Sequence, residues 1–148
     1  MPPMVVIQQI EASIEDVFKF VGHVETHPQI ADFCSAVKIT SEQKCGVGTR
    51  FHQVYADGTE CDSVIMEWDP FEKIVWHNFE GGSMKACQII TYRFEQEGKI
   101  SHVLHTVNTY SYENQALHRK GMQENMQEME NLKKVLEKTE MNEPPRIR

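Results

Sequence analysis

Ile100–Tyr110 reads ISHVLHTVNTY, and Glu113–Lys138, just beyond it, reads ENQALHRKGMQENMQEMENLKKVLEK. The seam between these stretches decides the fold. The first is β-branched and long enough to be the last strand of a sheet. The second has no proline, and its apolar residues Leu117, Met122, Met126, Met129, Leu132 and Leu136 recur at steps of three to five. That spacing predicts one long amphipathic helix with those residues on its buried stripe. Reading back from the seam, Glu97-Gly98 turns the chain out of a strand over Met84–Phe94, and Gly81-Gly82 turns it out of Lys73–Phe79. Asp69-Pro70 stops a strand over Cys61–Trp68. Asp57-Gly58 is a hairpin signal after Gly46–Tyr55, and Val37–Thr40 opens the series. Strands joined by such tight turns demand an antiparallel sheet.

Before the sheet, Val5–Ala12 reads as a first strand. Ser13, with Asp16 three residues on, resembles a capping box and starts a helix to His23. Pro28 suits the first turn of a second short helix, Pro28–Phe33. The predicted class is therefore α+β, with about seven antiparallel strands covered by one long C-terminal helix and two short helices after the first strand. One domain over residues 1–138 and a polar, flexible tail over 139–148, with Pro144-Pro145, complete the expected organisation.

The 148 residues suit a single domain, and a chain of this size buries roughly 68–70% of its unfolded surface, enough for a core without metal or disulfide staples. Lys and Arg number 15 against 22 Asp and Glu, a formal charge of -7 that disfavours nucleic-acid binding. No apolar run is long enough for a membrane span. The first residues lack the charged and small-residue pattern of a secretory leader. The four cysteines, Cys34, Cys45, Cys61 and Cys87, form no Cys-x-x-Cys pair, so a reduced, cytoplasmic protein is expected.

The element order resembles the helix-grip fold of the START-like (SRPBCC) superfamily. Four stretches carry the resemblance: Ile10–Val21 (IEASIEDVFKFV), Val24–Ile30 (VETHPQI), Gly46–Phe51 (GVGTRF) and Ile65–Ile74 (IMEWDPFEKI). The phrase around Pro28 is closest to the polyketide cyclase/dehydrase and coenzyme-Q-binding branch. The resemblance implies a cavity between sheet and long helix. It also implies a hydrophobic or aromatic ligand that is polyketide-, lipid- or quinone-like. A polyketide aromatase/cyclase-like enzyme and a co-chaperone-like interaction module are the alternatives on the same fold.

Within that frame, strand parity offers Phe51, Tyr55, Trp76 and Tyr92 as cavity walls, since residues two apart share a face. Ile74 and Phe94 share parity with them, as do the polar Gln53 and Gln88. On the helix, Met122, Met126 and Met129 suit an adaptable roof. Of the histidines, His105 and His118 lean inward, and His102 is placed near them. Core packing is the plain alternative for each. His23 and His27 have a helical ligand spacing, but Pro28 spoils it, and Arg50 points outward unless a bulge turns it. No nucleophile elbow or phosphate loop occurs. The expectation is no metal, no cofactor, no assignable catalytic residue, and a monomer or homodimer that binds a hydrophobic small molecule.

Overall fold

The computed structural model describes residues 3–110 and 115–141, without the side chains of 115–117 and 138–141. β1 (Met4–Ile10) leads into α1 (Ile14–Gly22), a 3-10 helix (Val24–Gln29) and β2 (Cys34–Ile39). β3 (Arg50–Tyr55), β4 (Glu60–Asp69), β5 (Lys73–Phe79), β6 (Gln88–Glu97) and β7 (Ile100–Thr109) follow, and α2 (Gln115–Met141) closes the series. The seven strands form one sheet in the order β1-β7-β6-β5-β4-β3-β2, and every neighbouring pair is antiparallel. The first strand thus returns to pair with the last, and the curled sheet holds α2 in its concave side. The expected α+β architecture is the one found.

Local chemistry explains the elements. Ser13 caps α1 by accepting from the Asp16 amide at 3.2 Å. Thr26 Oγ1 donates to the carbonyls of Phe20 at 2.7 Å and His23 at 2.8 Å, which closes the far end of that helix. Instead of a second helix over Pro28–Phe33, the chain makes the 3-10 turn over Val24–Gln29 with Pro28 inside it. Proline has no N–H to donate, and a single tight turn tolerates that loss better than an α-helix does. At the Asp57-Gly58 hairpin Gly58 has φ 90°, and Asp57 accepts from the Thr59 amide at 2.9 Å. The strand expected from Met84 starts only at Gln88 and runs on to Glu97. Ser83 turns back on Lys85 instead, accepting from its amide at 3.1 Å.

A register shift in β4 between Ile65 and Glu67 changes which face the strand buries. Cys61, Ser63 and Ile65 point inward before the shift. After it Trp68 packs inward against Phe18, with ring centroids 4.9 Å apart. Phe18 also meets Phe94 at 5.3 Å, in one buried cluster with Ile10, Val103, Met129, Leu132 and Leu136. The C-terminal half of α2 is therefore the packed end of the core.

The phase of α2 differs from the methionine reading. Met129 is fully buried, Met122 is half-buried, and Met126 is 55% exposed. The buried positions are Gly121, Asn125, Glu128, Met129, Leu132 and Leu136. At ~100° per residue Met126 falls about 100° away from the centre of that face. Met129, Leu132 and Leu136 of the expected stripe are buried, but the polar Asn125 and Glu128 take the buried face toward the N-terminal half, where hydrophobicity alone pointed to Met126. The helix also continues to Met141, into the stretch expected as tail, and residues 142–148 lie outside the described residues.

Candidate functional site

The N-terminal half of α2 does not pack on the sheet as its C-terminal half does. A cavity of about 1030 Å³ lies there, between the sheet, the 3-10 turn and α2. Two sets of side chains build its sheet wall.

The first set is a polar ladder. Strand register places Ser63 opposite Asn78, Asn78 opposite Gln88, and Gln88 opposite Thr109. Their side chains connect in sequence. Gln53 Nε2 donates to Ser63 Oγ at 2.9 Å, and Ser63 Oγ donates to Asn78 Oδ1 at 2.6 Å. Asn78 Nδ2 donates to Gln88 Oε1 at 2.9 Å, and Gln88 Nε2 to Thr109 Oγ1 at 3.2 Å. The ladder crosses β3, β4, β5, β6 and β7 and satisfies polar groups that are costly to bury unpaired. Tyr55 Oη lies 3.1 Å from Cys61 Sγ beside it. Burial raises the Cys61 thiol above its ordinary range and pushes Cys34 and Cys87 up to about 11. These cysteines are protonated thiols at neutral pH, not nucleophiles.

The second set is aromatic and acid–base. Phe51 meets Trp76 edge-on at 5.5 Å, and Trp76 meets Tyr92 at 5.3 Å. Tyr92 stacks on His105 with centroids 4.2 Å apart, because the two are register partners on β6 and β7. His27 reaches in from the 3-10 turn, edge-on to Trp76 at 5.7 Å. Glu128 reaches down from α2 with 1% exposure and accepts a hydrogen bond from the Tyr92 hydroxyl. His105 Nε2 stands 3.6 Å from the same carboxylate oxygen, too far for a hydrogen bond. Burial drives the Tyr92 phenol well above its ordinary range, and the Glu128 charge adds to this. Burial lowers the His27 pKa, Glu128 partly restores it, and His105 lowers it further. His27 is thus a neutral imidazole at neutral pH. Two buried nitrogens on this wall, Trp76 Nε1 and His105 Nε2, have no hydrogen-bond partner among the described residues.

Of the residues expected from sequence, Tyr55, Trp76, Gln88, Tyr92 and His105 line the cavity together. Phe51 is buried behind Trp76, and Met129 belongs to the packed core. Met122 packs partly against that core, and His118 is half-buried outside the cavity lining. Met126 faces away, which corrects its place in the roof. His102 is on the outer face of β7 and bonds Glu97 at 2.9 Å, so it does not join His105. Arg50 is exposed. Sequence reasoning missed Ser63 and Asn78, although strand parity from Cys61 and Trp76 points to them. It also missed His27 as a wall residue, and Asn125 and Glu128, which only the true helix phase reveals. Among the described residues no group of His, Cys, Asp and Glu is placed to hold a metal ion. None of the described helices is long and apolar enough to cross a membrane.

No protein-family model matches the chain, and no curated protein matches it. Solved structures do. XoxI from Bacillus cereus superposes with a TM-score of 0.75 at 12% identity, covering 95% of this chain and 99% of its own. The Aha1 dimer from Colwellia psychrerythraea gives 0.72 at 16%, covering 93% and 97%. A protein from Thermus thermophilus gives 0.72 at 18%, covering 93% and 99%. At these identities the likeness is one of fold alone: a curled antiparallel sheet gripping a C-terminal helix.

Proposed function

We propose that this chain binds a small molecule with a hydrophobic or aromatic body in the cavity between sheet and α2. One observation carries the reading. A cavity of about 1030 Å³ has at its wall two buried nitrogens, Trp76 Nε1 and His105 Nε2, that are without hydrogen-bond partners among the described residues. Unpaired buried polar groups are costly, so a native fold that keeps them beside a cavity calls for a partner. Aromatic walls with a few convergent polar groups are the usual build of a small-molecule site.

A second reading is favoured by Tyr92, Glu128 and His105. A carboxylate and an imidazole held together in a cavity can move a proton to or from a bound carbonyl compound. That would suit an enzyme of the polyketide aromatase/cyclase kind, with Tyr92 positioning Glu128.

The binding reading is tested by titrating Nile red, a neutral apolar dye, into the wild-type protein and Gly121→Leu. Gly121 is buried on α2 and lines the cavity. Leucine there adds bulk to the cavity, and its helix propensity is better than that of glycine by up to ~1 kcal/mol. The expected result is saturable binding by the wild type and at least about tenfold weaker binding by the variant, which stays folded. Absence of saturable binding by the wild type overturns the reading.

A further inference from the structure

We propose that the cavity selects an organic cation: an aromatic body with an acceptor oxygen at its inner end and a protonated nitrogen at its mouth. This rests on the small-molecule reading above and narrows its ligand class.

The charge of the lining is one-sided. Asp32, Asp57, Glu60, Glu80, Glu124 and Glu128 line the cavity, against Lys120 as the lining's lysine or arginine among the described residues. The Lys120 charge acts on both Glu124 and Asp57 and offsets part of their negative charge. His52 shares Glu60, at 2.7 Å, from outside the cavity. The carboxylates still outnumber these cations. A cleft of one sign with low-dielectric walls concentrates counter-ions and repels ions of its own sign. Fatty acids, acyl phosphates and other anionic lipids therefore meet a repulsive mouth.

The interior supplies the second, independent requirement. Trp76 Nε1 is a donor only, 2% exposed as a residue and unpaired among the described residues, so its partner must be an oxygen or another acceptor. His27 stands against the same indole as a neutral imidazole, and so imposes no positive charge on the inner end. Asp57, Glu60 and Glu80 are exposed at the outer edge and Glu124 is half-buried beside them. Glu128 is a buried carboxylate of the lining that already accepts from Tyr92. The indole donor inside and the exposed carboxylates toward solvent then set the polarity of the ligand: acceptor inward, cation outward.

The test uses three 6-methoxynaphthalenes that differ only at position 2: aminomethyl, hydroxymethyl and carboxylate. Each is titrated by calorimetry at low salt and again at high salt. The expected order is amine, alcohol, carboxylate, with the amine about tenfold or more tighter than the alcohol and the gap closing as salt rises. Glu80→Gln combined with Glu124→Gln is expected to bring the amine down to the affinity of the alcohol, and Lys120→Gln to tighten it. If alcohol and amine bind equally in the wild type, or the carboxylate binds best, the cation inference fails while the small-molecule reading stands. If none of the three binds and Nile red does not bind, both fail.

Discussion

The Tyr92 hydroxyl on β6 donates to the Glu128 carboxylate on α2, and this bond ties the sheet to the helix in the buried interior. It sits where the packed core gives way to the cavity. Deleting either partner leaves a buried polar group with less satisfaction than folding requires. Tyr92→Phe and Glu128→Leu should each cost about 1–3 kcal/mol. In a double-mutant cycle by urea denaturation the two losses should be less than additive by at least about 0.5 kcal/mol. Strict additivity would show that the pair is not coupled.

His27 gives the fold a pH dependence of known sign. Its folded pKa lies below the ordinary 6.5, chiefly through burial. The unfolded chain then binds more protons than the folded one as pH falls through 6.5, so this group's contribution is present above that value and lost below it. His52 works in the opposite direction, since hydrogen bonds to Asp62 and then Glu60 raise its pKa. The measurement is therefore a difference. Unfolding free energies of the wild type and His27→Gln, taken between about pH 7.5 and pH 5, should converge toward the acid end. Parallel pH curves would mean that His27 is solvated in the native state.

Asn78 is the centre of the polar ladder, accepting from Ser63 at 2.6 Å and Gln53 at 3.3 Å while donating to Gln88 at 2.9 Å. Asn78→Leu keeps the volume and strands those partners. It should lower stability by about 1–3 kcal/mol, read as a drop of several degrees in Tm. Asn78→Asp retains the acceptor and should recover part of the loss at low pH, where the carboxyl is protonated. An unchanged Tm in Asn78→Leu would place water, not protein, at the ladder.

Gly22 ends α1 directly under Trp68. A Cβ built there would lie 2.6 Å from Trp68 Cη2 and 3.3 Å from Ile74 Cδ1. Alanine normally favours a helix over glycine by about 1 kcal/mol. Here the clash with a packed indole should reverse the sign, and Gly22→Ala should destabilise by about 1–3 kcal/mol. A stabilised variant would show that Trp68 can move freely.

Two methionines test the helix phase. Met129→Ala should cost about 2–5 kcal/mol as a core truncation, whereas Met126→Ala should stay within about 0.5 kcal/mol. Equal costs would return the methionine stripe to the interior.

The sequence by itself determined the sheet, the long helix and their order. Turn pairs such as Asp57-Gly58, the Ser13 cap and the proline-free run after Tyr110 act through local backbone chemistry, which any reader of the chain can apply. Strand parity also reached Tyr55, Trp76, Gln88, Tyr92 and His105, because alternation along a strand is fixed by its pleat. Only the tertiary structure decided the face of α2. A helix over a packed core buries its most apolar side, but this one roofs a cavity along part of its length, so Asn125 and Glu128 are buried and Met126 is not. The β4 register shift that returns Trp68 to the core and the approach of His27 to Trp76 are likewise consequences of long-range contact. Pairing across the sheet, and the placement of a turn from one end of the chain against strands from another, set which polar groups meet. No local pattern encodes that meeting.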